Sequence, residues 1–327
     1  MEAADIGAAA PVRVEPIVGG HSNLTYRVWT ENEEVLVLRR PPLGETLATA
    51  HDMARESRIF TALAGTDVPV PLVLGCCDDP SVIGAPFFVM DYVDGQVIRD
   101  GLSASQVDPA VRRRAGEAVA EVLASIHELD PAAIGLGDLG RTDGYVERQL
   151  HRWHRQFRAV RSRPLPQVDE VYACLLTRIP AQGGTALVHG DYRLDNCILD
   201  ATGEVASVLD WELATLGDPL ADVGLLLAYW AEAGDEDTVL PDAPTAHPGF
   251  PSRAEVLDRY SMCSGRDVTG IDFYVALAYW KLACIVEGVL ARYAAGAMAD
   301  DSHDFSVLAD RAERCAAEAA RVAGRLS

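Results

Sequence analysis

Up to about residue 94, apolar positions fall in short clusters of strand length, broken by glycine, proline and acidic turns; beyond residue 108 they recur at helical spacing over much longer stretches. The first region predicts strands at Arg13 to Val18, Leu24 to Val28, Glu34 to Arg40, Val70 to Cys77 and Ala85 to Val93. One helix interrupts them at His51 to Leu63, where Met53, Ile59, Phe60 and Leu63 are apolar and Arg55, Glu56 and Arg58 lie between. In the second region Asp108-Pro109, an N-cap followed by proline at the first helical position, opens a helix to about Leu129 with Val111, Ala115, Ala118, Val122 and Ile126 on one face. A buried helix capped by Asp218 is expected through Trp230, and further helices near Ser252 to Cys263, Ile271 to Tyr293 and Ser302 to Ala323. The pattern is that of an α+β protein, strands first and helices after, without internal repeats. The acidic, proline-rich stretch Ala231 to Pro251 reads either as a lid or as a surface insertion.

One stretch breaks the helical region. Residues 187 to 212, LVHGDYRLDNCILDATGEVASVLDWE, read as a buried strand, a glycine turn, and a strand-turn-strand. The turn leaves Asp191 on a loop, and the following hairpin delivers Asp210 beside Asn196. A carboxylate and an amide oxygen held together suit Mg²⁺, a hard cation that keeps part of its shell for substrate phosphates. Asp191, just upstream, is free to accept a hydroxyl proton. Near the N-terminus, Gly19-Gly20-His21-Ser22-Asn23 lies between two strands: its tip either covers nucleotide phosphates with backbone amides, Gly19, Gly20, Ser22 and Asn23 being the candidates, or is a plain hairpin turn. No Gly-Lys-Ser/Thr follows, so it is not a Walker A loop.

At 327 residues, 49% hydrophobic and 24% charged, the chain has the composition of a globular enzyme. Its formal charge of −21 argues against nucleic acid and against an anionic membrane surface as partners. The seven cysteines show no paired C-x-x-C spacing, which favours a reduced, cytoplasmic protein. The start MEAADIGAAAPV lacks the pattern of a signal peptide, and the longest apolar runs, such as Val223 to Trp230, are too short to span a bilayer. Against this acidity, Arg141 to Arg163 is locally cationic: seven arginines stand against Asp143 and Glu147. The segment reads either as a solvated helix face or as part of a site for an anionic ligand.

The order Asp191, Asn196, Asp210 resembles that of protein kinases, where an aspartate precedes an asparagine by five residues and a metal-binding aspartate follows on the next hairpin. Here, however, the triplets are His189-Gly190-Asp191 and Asp210-Trp211-Glu212. They resemble instead the aminoglycoside phosphotransferase and choline kinase branch of the kinase-like superfamily, which acts on small-molecule hydroxyls. The phrases GGHSNLTYRV, VLRRPP, FFVMDYVDG, LVHGDYRLDN, LDWELATLGDPLADVG and AYWKLACIVEGVLARY are similar to a subgroup related to the kinase domain fused to some acyl-CoA dehydrogenases.

The resemblance implies a two-lobed, protein-kinase-like fold: a small, mainly antiparallel N-lobe with one helix over 1–94 and a larger, mainly helical C-lobe over 95–327. It implies ATP and Mg²⁺ as cofactors, Asp191 as the catalytic base, and Asn196 and Asp210 as metal ligands. Arg39 stands where the family has its phosphate-binding basic residue, paired with Glu56, and Met90, Asp91, Tyr92 and Val93 form the hinge that holds the adenine. Asp222 is implied to brace the catalytic loop, His189 to anchor it, and Arg193 to meet phosphate or acceptor or to form a loop salt bridge. The implied acceptor is a small hydroxylated molecule, a hydroxyacyl-CoA or another anionic metabolite, received by Arg152, Arg155 and Arg158. An antibiotic kinase, or a pseudokinase that binds nucleotide without turnover, remains the alternative, and the oligomeric state is open.

Overall fold

The computed structural model describes residues 11–17, 23–42, 52–161, 163–235, 239, 242–294 and 305–326. Gly19, Gly20 and Ser22, and parts of the 231–251 stretch, lie outside the described residues. Five strands form one antiparallel sheet in the order β1-β2-β3-β5-β4: β1 (Pro11–Pro16), β2 (Leu24–Thr30), β3 (Val35–Arg40), β4 (Val73–Cys77) and β5 (Phe87–Asp91). Helix α1 (Met53–Leu63) is capped by Asp52, whose carboxylate accepts from the Arg55 amide, and packs Met53, Ile59, Phe60 and Leu63 beneath the sheet.

Behind the sheet the chain is helical. Helices α2 (Gly101–Ser105), α3 (Pro109–Glu128), α4 (Tyr145–Val160) and α5 (Pro166–Leu176) precede the central stretch. There the two-stranded pairs β6 (Ala186–Val188) with β9 (Thr215–Gly217) and β7 (Cys197–Leu199) with β8 (Val205–Val208) form. Helices α6 (Leu220–Tyr229), α7 (Arg253–Ser264), α8 (Ile271–Ala294) and α9 (Phe305–Ala323) complete the fold. The α+β expectation, a strand-rich first lobe and a helical second one, is therefore met, with α3 running from its Asp108 cap as the sequence predicts. Between the lobes the Val208 amide donates to Pro69 O at 2.8 Å, and just past β5 Gln96 exchanges two backbone hydrogen bonds of 2.8 Å with Leu199 of β7. Gly95 makes this approach possible, because a Cβ there would stand 2.5 Å from Ile198 Cγ2 and from the Leu199 carbonyl oxygen.

One expectation needs correction. Judged by length and composition, Ile271–Tyr293 of α8 is apolar enough to cross a bilayer, which the shorter runs had not suggested. Its apolar character is used internally: 72% of the relevant window is buried, with α4, α6 and α9 packed around it.

Candidate active site

The 187–212 stretch is held from below by a buried carboxylate. β6 is fully buried and ends at His189, after which Gly190 turns the chain at φ +85°, where a Cβ would lie 2.8 Å from the Leu213 carbonyl oxygen. Asp222, in the first turn of α6 and 1% exposed, accepts from the His189 amide at 2.6 Å and from the Gly190 amide at 2.9 Å. Burial works against its charge, but His127, His189 and these amides hold the carboxyl below its ordinary value. His127 of α3 stands behind it, with Nδ1 2.8 Å from the Tyr260 hydroxyl and Nε2 3.4 Å from Asp222 Oδ2; burial keeps this imidazole neutral, its pKa pushed down. His189 anchors the loop as expected: Nε2 donates to the Leu209 carbonyl at 2.8 Å and Nδ1 accepts from the Asp191 amide at 3.2 Å.

The three residues picked from the 187–212 stretch come together. The Asn196 side-chain amide donates to the Asp191 carbonyl at 2.8 Å and to its Oδ2 at 3.3 Å, so the amide oxygen is the atom Asn196 can offer a cation. The Leu209 amide donates to Asn196 O at 2.9 Å, which sets Asp210 beside it. Asp210 adopts φ +65° and ψ +58°, a left-handed conformation that costs a non-glycine residue about 1–3 kcal/mol and collects at functional sites.

From the sheet side, Arg39 on β3 reaches across. Its Nε donates to Glu56 at 2.9 Å and its Nη2 pairs with Asp210, so that α1, β3 and the hairpin meet at one guanidinium. Burial opposes the charge of Arg39, yet the Glu56 and Asp210 carboxylates outweigh it and keep the guanidinium protonated; burial pushes the Glu56 carboxyl up, opposed by Arg39. Arg55 of α1 also donates to the carbonyls of Glu212 and Ala214, tying the helix to the same loop.

These groups line a cavity of about 550 Å³ between sheet and helices. At one end Ile17, Val37 and Met90 face Ile198 and Leu209, an apolar slot beside Tyr92 and Val93. Met90 and Asp91 belong to β5 itself, and the Asp91 carboxylate accepts from the Leu72 amide at 2.6 Å. At the other end stand Asp191, Asn196 and Asp210, and the far wall is Leu225, Tyr229, Lys281, Leu282 and Ile285. The charged lining residues are balanced: Arg27, Arg39, Arg99, Arg193 and Lys281 against Asp91, Asp191, Asp195, Asp210 and Glu212.

Arg152, Arg155 and Arg158, expected at the acceptor wall, are not among the lining residues. They are exposed on α4, whose buried face is Val146, Leu150 and Phe157; Arg152 stacks on Trp153, and Arg158 pairs with Asp169 at 3.5 Å. The solvated-face reading of that segment is the one the structure supports. Arg193, by contrast, lines the cleft, 3.5 Å from Asp191 and 3.1 Å from Asp195. Five charged lining residues escaped the sequence reading: Arg27, Arg99, Asp195, Glu212, which accepts from the Asn23 amide group at 3.0 Å, and Lys281.

Comparison with known proteins agrees with this geometry. A model of the phosphotransferase enzyme family matches residues 13–256. The chain is 37% identical over 295 residues to acyl-CoA dehydrogenase family member 10 of Mus musculus, a match covering 88% of the chain and 27% of that protein. It is 36% identical over 306 residues to acyl-CoA dehydrogenase family member 11 of Gallus gallus, covering 91% of the chain and 39% of that protein. The chain thus spans well under half the length of these relatives. Among solved structures, a candidate aminoglycoside phosphotransferase from Ralstonia eutropha superposes with a TM-score of 0.81 at 32% identity, covering 98% of this chain and 94% of that one. The aminoglycoside phosphotransferase APH(4)-Ia, in complex with ADP and hygromycin B, shares the fold, with a TM-score of 0.62 at 17% identity over 97% of this chain and 96% of that one.

Proposed function

The chain belongs to the phosphotransferase enzyme family, and on that premise we propose that it transfers the γ-phosphoryl group of ATP to the hydroxyl of a small, anionic molecule, a hydroxyacyl-CoA being the first candidate. The observation that carries this reading is the convergence of Asp191, Asn196, Asp210 and the Arg39–Glu56 pair on one cleft with an apolar slot at its far end. An apolar lining suits a flat heterocycle, and on this reading the phosphate chain runs over Arg39 and ends at Asp191.

Asp191 accepts the hydroxyl proton as the acceptor oxygen bonds to the γ-phosphorus and the bond from that phosphorus to the β-phosphate oxygen breaks, leaving ADP. Asn196 holds the Asp191 loop by its amide nitrogen and fixes where that carboxylate stands. Arg39, positioned by buried Glu56, offers its guanidinium to phosphate oxygens in place of its present contact with Asp210. Two oxygen donors from the protein, Asn196 and Asp210, fit Mg²⁺, which is commonly held by one or two side chains and otherwise by phosphate and water. Among the described residues there is no larger cluster of potential ligands. When bound, the ion neutralises phosphate charge. The remainder of the rate enhancement is positional, because phosphoryl transfer asks little covalent chemistry of the protein.

An anionic acceptor is favoured by the cleft, whose cations equal its acids in a chain of charge −21. The match to proteins named for acyl-CoA dehydrogenase makes an acyl-CoA the class to try first. A second reading, an aminoglycoside acceptor, has the name of the 32%-identical structure in its favour, whereas a polycation gains little from a cleft with five cationic side chains. The test is incorporation of label from γ-labelled ATP into a panel of hydroxyacyl-CoA esters, hydroxy acids and aminoglycosides with magnesium present. Transfer to a CoA ester or hydroxy acid and none to kanamycin is expected; efficient kanamycin phosphorylation would replace this reading with the second, and ATP binding without transfer to any acceptor would make the protein a pseudokinase.

A further inference from the structure

The sequence holds 28 basic residues of the lysine and arginine type, and Lys281 is the single lysine among them. Arginine is the better partner for carboxylates at the surface, and most of the ion pairs among the described residues use it. Lysine differs in being a compact cation with three rotatable donors. The chain places its one lysine in the wall of the cleft, on α8, where Nζ donates to the Gly190 carbonyl at 2.9 Å, the peptide that leads into Asp191.

The surroundings of Lys281 single out what it can do. Leu225, Leu282 and Ile285 are apolar neighbours along the cleft wall, and the Trp153 ring centroid is 5.7 Å from Nζ, so the stem and one flank of the ammonium are packed. The charged groups that act on it come from three elements: Asp191 on the loop, Asp222 on α6 and Arg152 on α4. Burial lowers its pKa, the two carboxylates oppose that, and Arg152 adds to it. Arg39, which receives the phosphates in the reading above, approaches from the sheet, whereas Lys281 approaches from the helical side. Lys281 and Asp191 line the same cleft, so an acceptor seated against the helical wall has this ammonium beside it.

We propose that Lys281 reads the acceptor: with one N–H on the Gly190 carbonyl, it directs its other two at a carbonyl or carboxylate oxygen lying close to the acceptor hydroxyl, and so selects hydroxylated acyl compounds over amine-bearing ones. The inference rests on the phosphotransferase reading of the site and deepens it. It also separates acceptor binding from nucleotide binding within one cleft, Lys281 and Arg193 serving the former and Arg39 the latter. Loss of the proton at high pH removes the charge and one of the three N–H donors, so acceptor use declines at the alkaline end while nucleotide affinity does not follow it.

A single lysine makes the test direct, because Lys281 and the α-amino group are the two amines whose acylation has to be followed. The full chain is treated with acetic anhydride and modification at each site is followed by peptide mass, with the α-amine as internal reference. Saturating 3-hydroxybutyryl-CoA is expected to slow acylation of Lys281 by about tenfold or more, the protection a bound ligand gives at roughly ten times its Kd, and kanamycin to leave it unchanged. In kinetics, Lys281→Met is expected to lower kcat/KM for that CoA ester by about 30-fold, the loss of one charge-assisted hydrogen bond of about 2 kcal/mol, with Mg-AMP-PNP affinity within about twofold by calorimetry. Lys281→Arg restores part of that loss and carries the alkaline decline to higher pH, which a purely structural role would not do. Unshielded Lys281 under saturating CoA ester, or loss of Mg-AMP-PNP binding in a folded Lys281→Met protein, overturns the assignment. Shielding without transfer by the wild-type protein sinks the phosphotransferase reading and leaves Lys281 as a binding residue.

Discussion

Replacing Asp222 by asparagine tests whether the catalytic loop is held by one buried carboxylate. Asp222 accepts two backbone amides on separate oxygens, His189 N on Oδ2 at 2.6 Å and Gly190 N on Oδ1 at 2.9 Å, and is 1% exposed. An asparagine at the same place has one oxygen and one amino group. Whichever way it is turned, a donor faces a donor. One charge-assisted bond is lost with a buried N–H left unsatisfied and the other falls to the strength of a neutral bond; at about 1.5–3 kcal/mol for the first and about 1 kcal/mol for the second, the expected loss is about 2.5–4 kcal/mol. Function suffers separately, since displacement of the Asp191 carboxylate by about 1 Å costs on the order of 10²-fold in rate. The assay is urea unfolding of wild type and variant alongside kcat and the Mg-AMP-PNP dissociation constant. A stability loss under about 1 kcal/mol together with kcat within about threefold of wild type would refute the reasoning, because a buried carboxylate with these partners cannot be so cheaply replaced.

Other outcomes follow from the same geometry. Asp191→Asn is expected to lower kcat by about 10²–10⁴-fold with nucleotide binding intact, measured by initial rates and calorimetry; a near wild-type rate would remove Asp191 from the role of base. Asp210→Ala should lose the magnesium dependence of AMP-PNP binding, and unchanged Mg-nucleotide affinity would put the ion elsewhere. The triple replacement of Arg152, Arg155 and Arg158 by alanine should leave acceptor and ATP KM within about twofold, as expected of exposed charges; a rise in acceptor KM alone would return that face to the acceptor site. His127 is buried neutral with its pKa below the ordinary 6.5. The unfolded chain therefore takes up a proton first as pH falls, so stability is full above that value and declines as pH drops from it toward the folded pKa. His127→Gln should flatten the change in urea midpoint between about pH 7.5 and 5.5 relative to wild type.

The 187–212 hairpin was legible because everything that defines it is local: apolar strands of alternating burial, a glycine where φ must be positive, and polar residues five and fourteen positions apart on its turns. The bracing by Asp222 was legible only through the family resemblance, since nothing in the spacing from His189 to α6 demands that they meet. The left-handed backbone of Asp210 had no local signal at all; aspartate is not glycine, and the conformation is imposed by the bond from Leu209 to Asn196 and the burial of Trp211. The arginine segment failed for a reason the sequence did contain. At 3.6 residues per turn, Val146, Leu150, Trp153 and Phe157 share one stripe of α4, which leaves Arg152, Arg155 and Arg158 on the others. Counting charge over the segment without asking which face carried it gave a basic site where there is a solvated surface.

Lys281 shows the opposite case, a signal present in the sequence that the motif reading passed over. Lysine is almost never buried without a partner, and α8 is apolar along most of its length, so a lone charge near its middle has to meet a polar group inside the protein. That partner lies 91 residues away, at Gly190 O, which no periodicity can announce. The family phrase AYWKLACIVEGVLARY contains the residue but does not say which side of the helix faces the catalytic loop. Tyr274, Leu277 and Ala278, one and two turns before it, are buried against α6 and α4, which fixes the rotation of α8 and turns Lys281 toward the loop that α6 braces. The same packing that makes α8 resemble a membrane-spanning segment in composition therefore delivers the chain's one ammonium to Asp191. A substitution at Ala278 that rotates or displaces α8, such as Ala278→Leu, should accordingly lower transfer to the acceptor more than it lowers Mg-AMP-PNP affinity, and equal losses in both would mean that α8 serves the fold as a whole and not the acceptor.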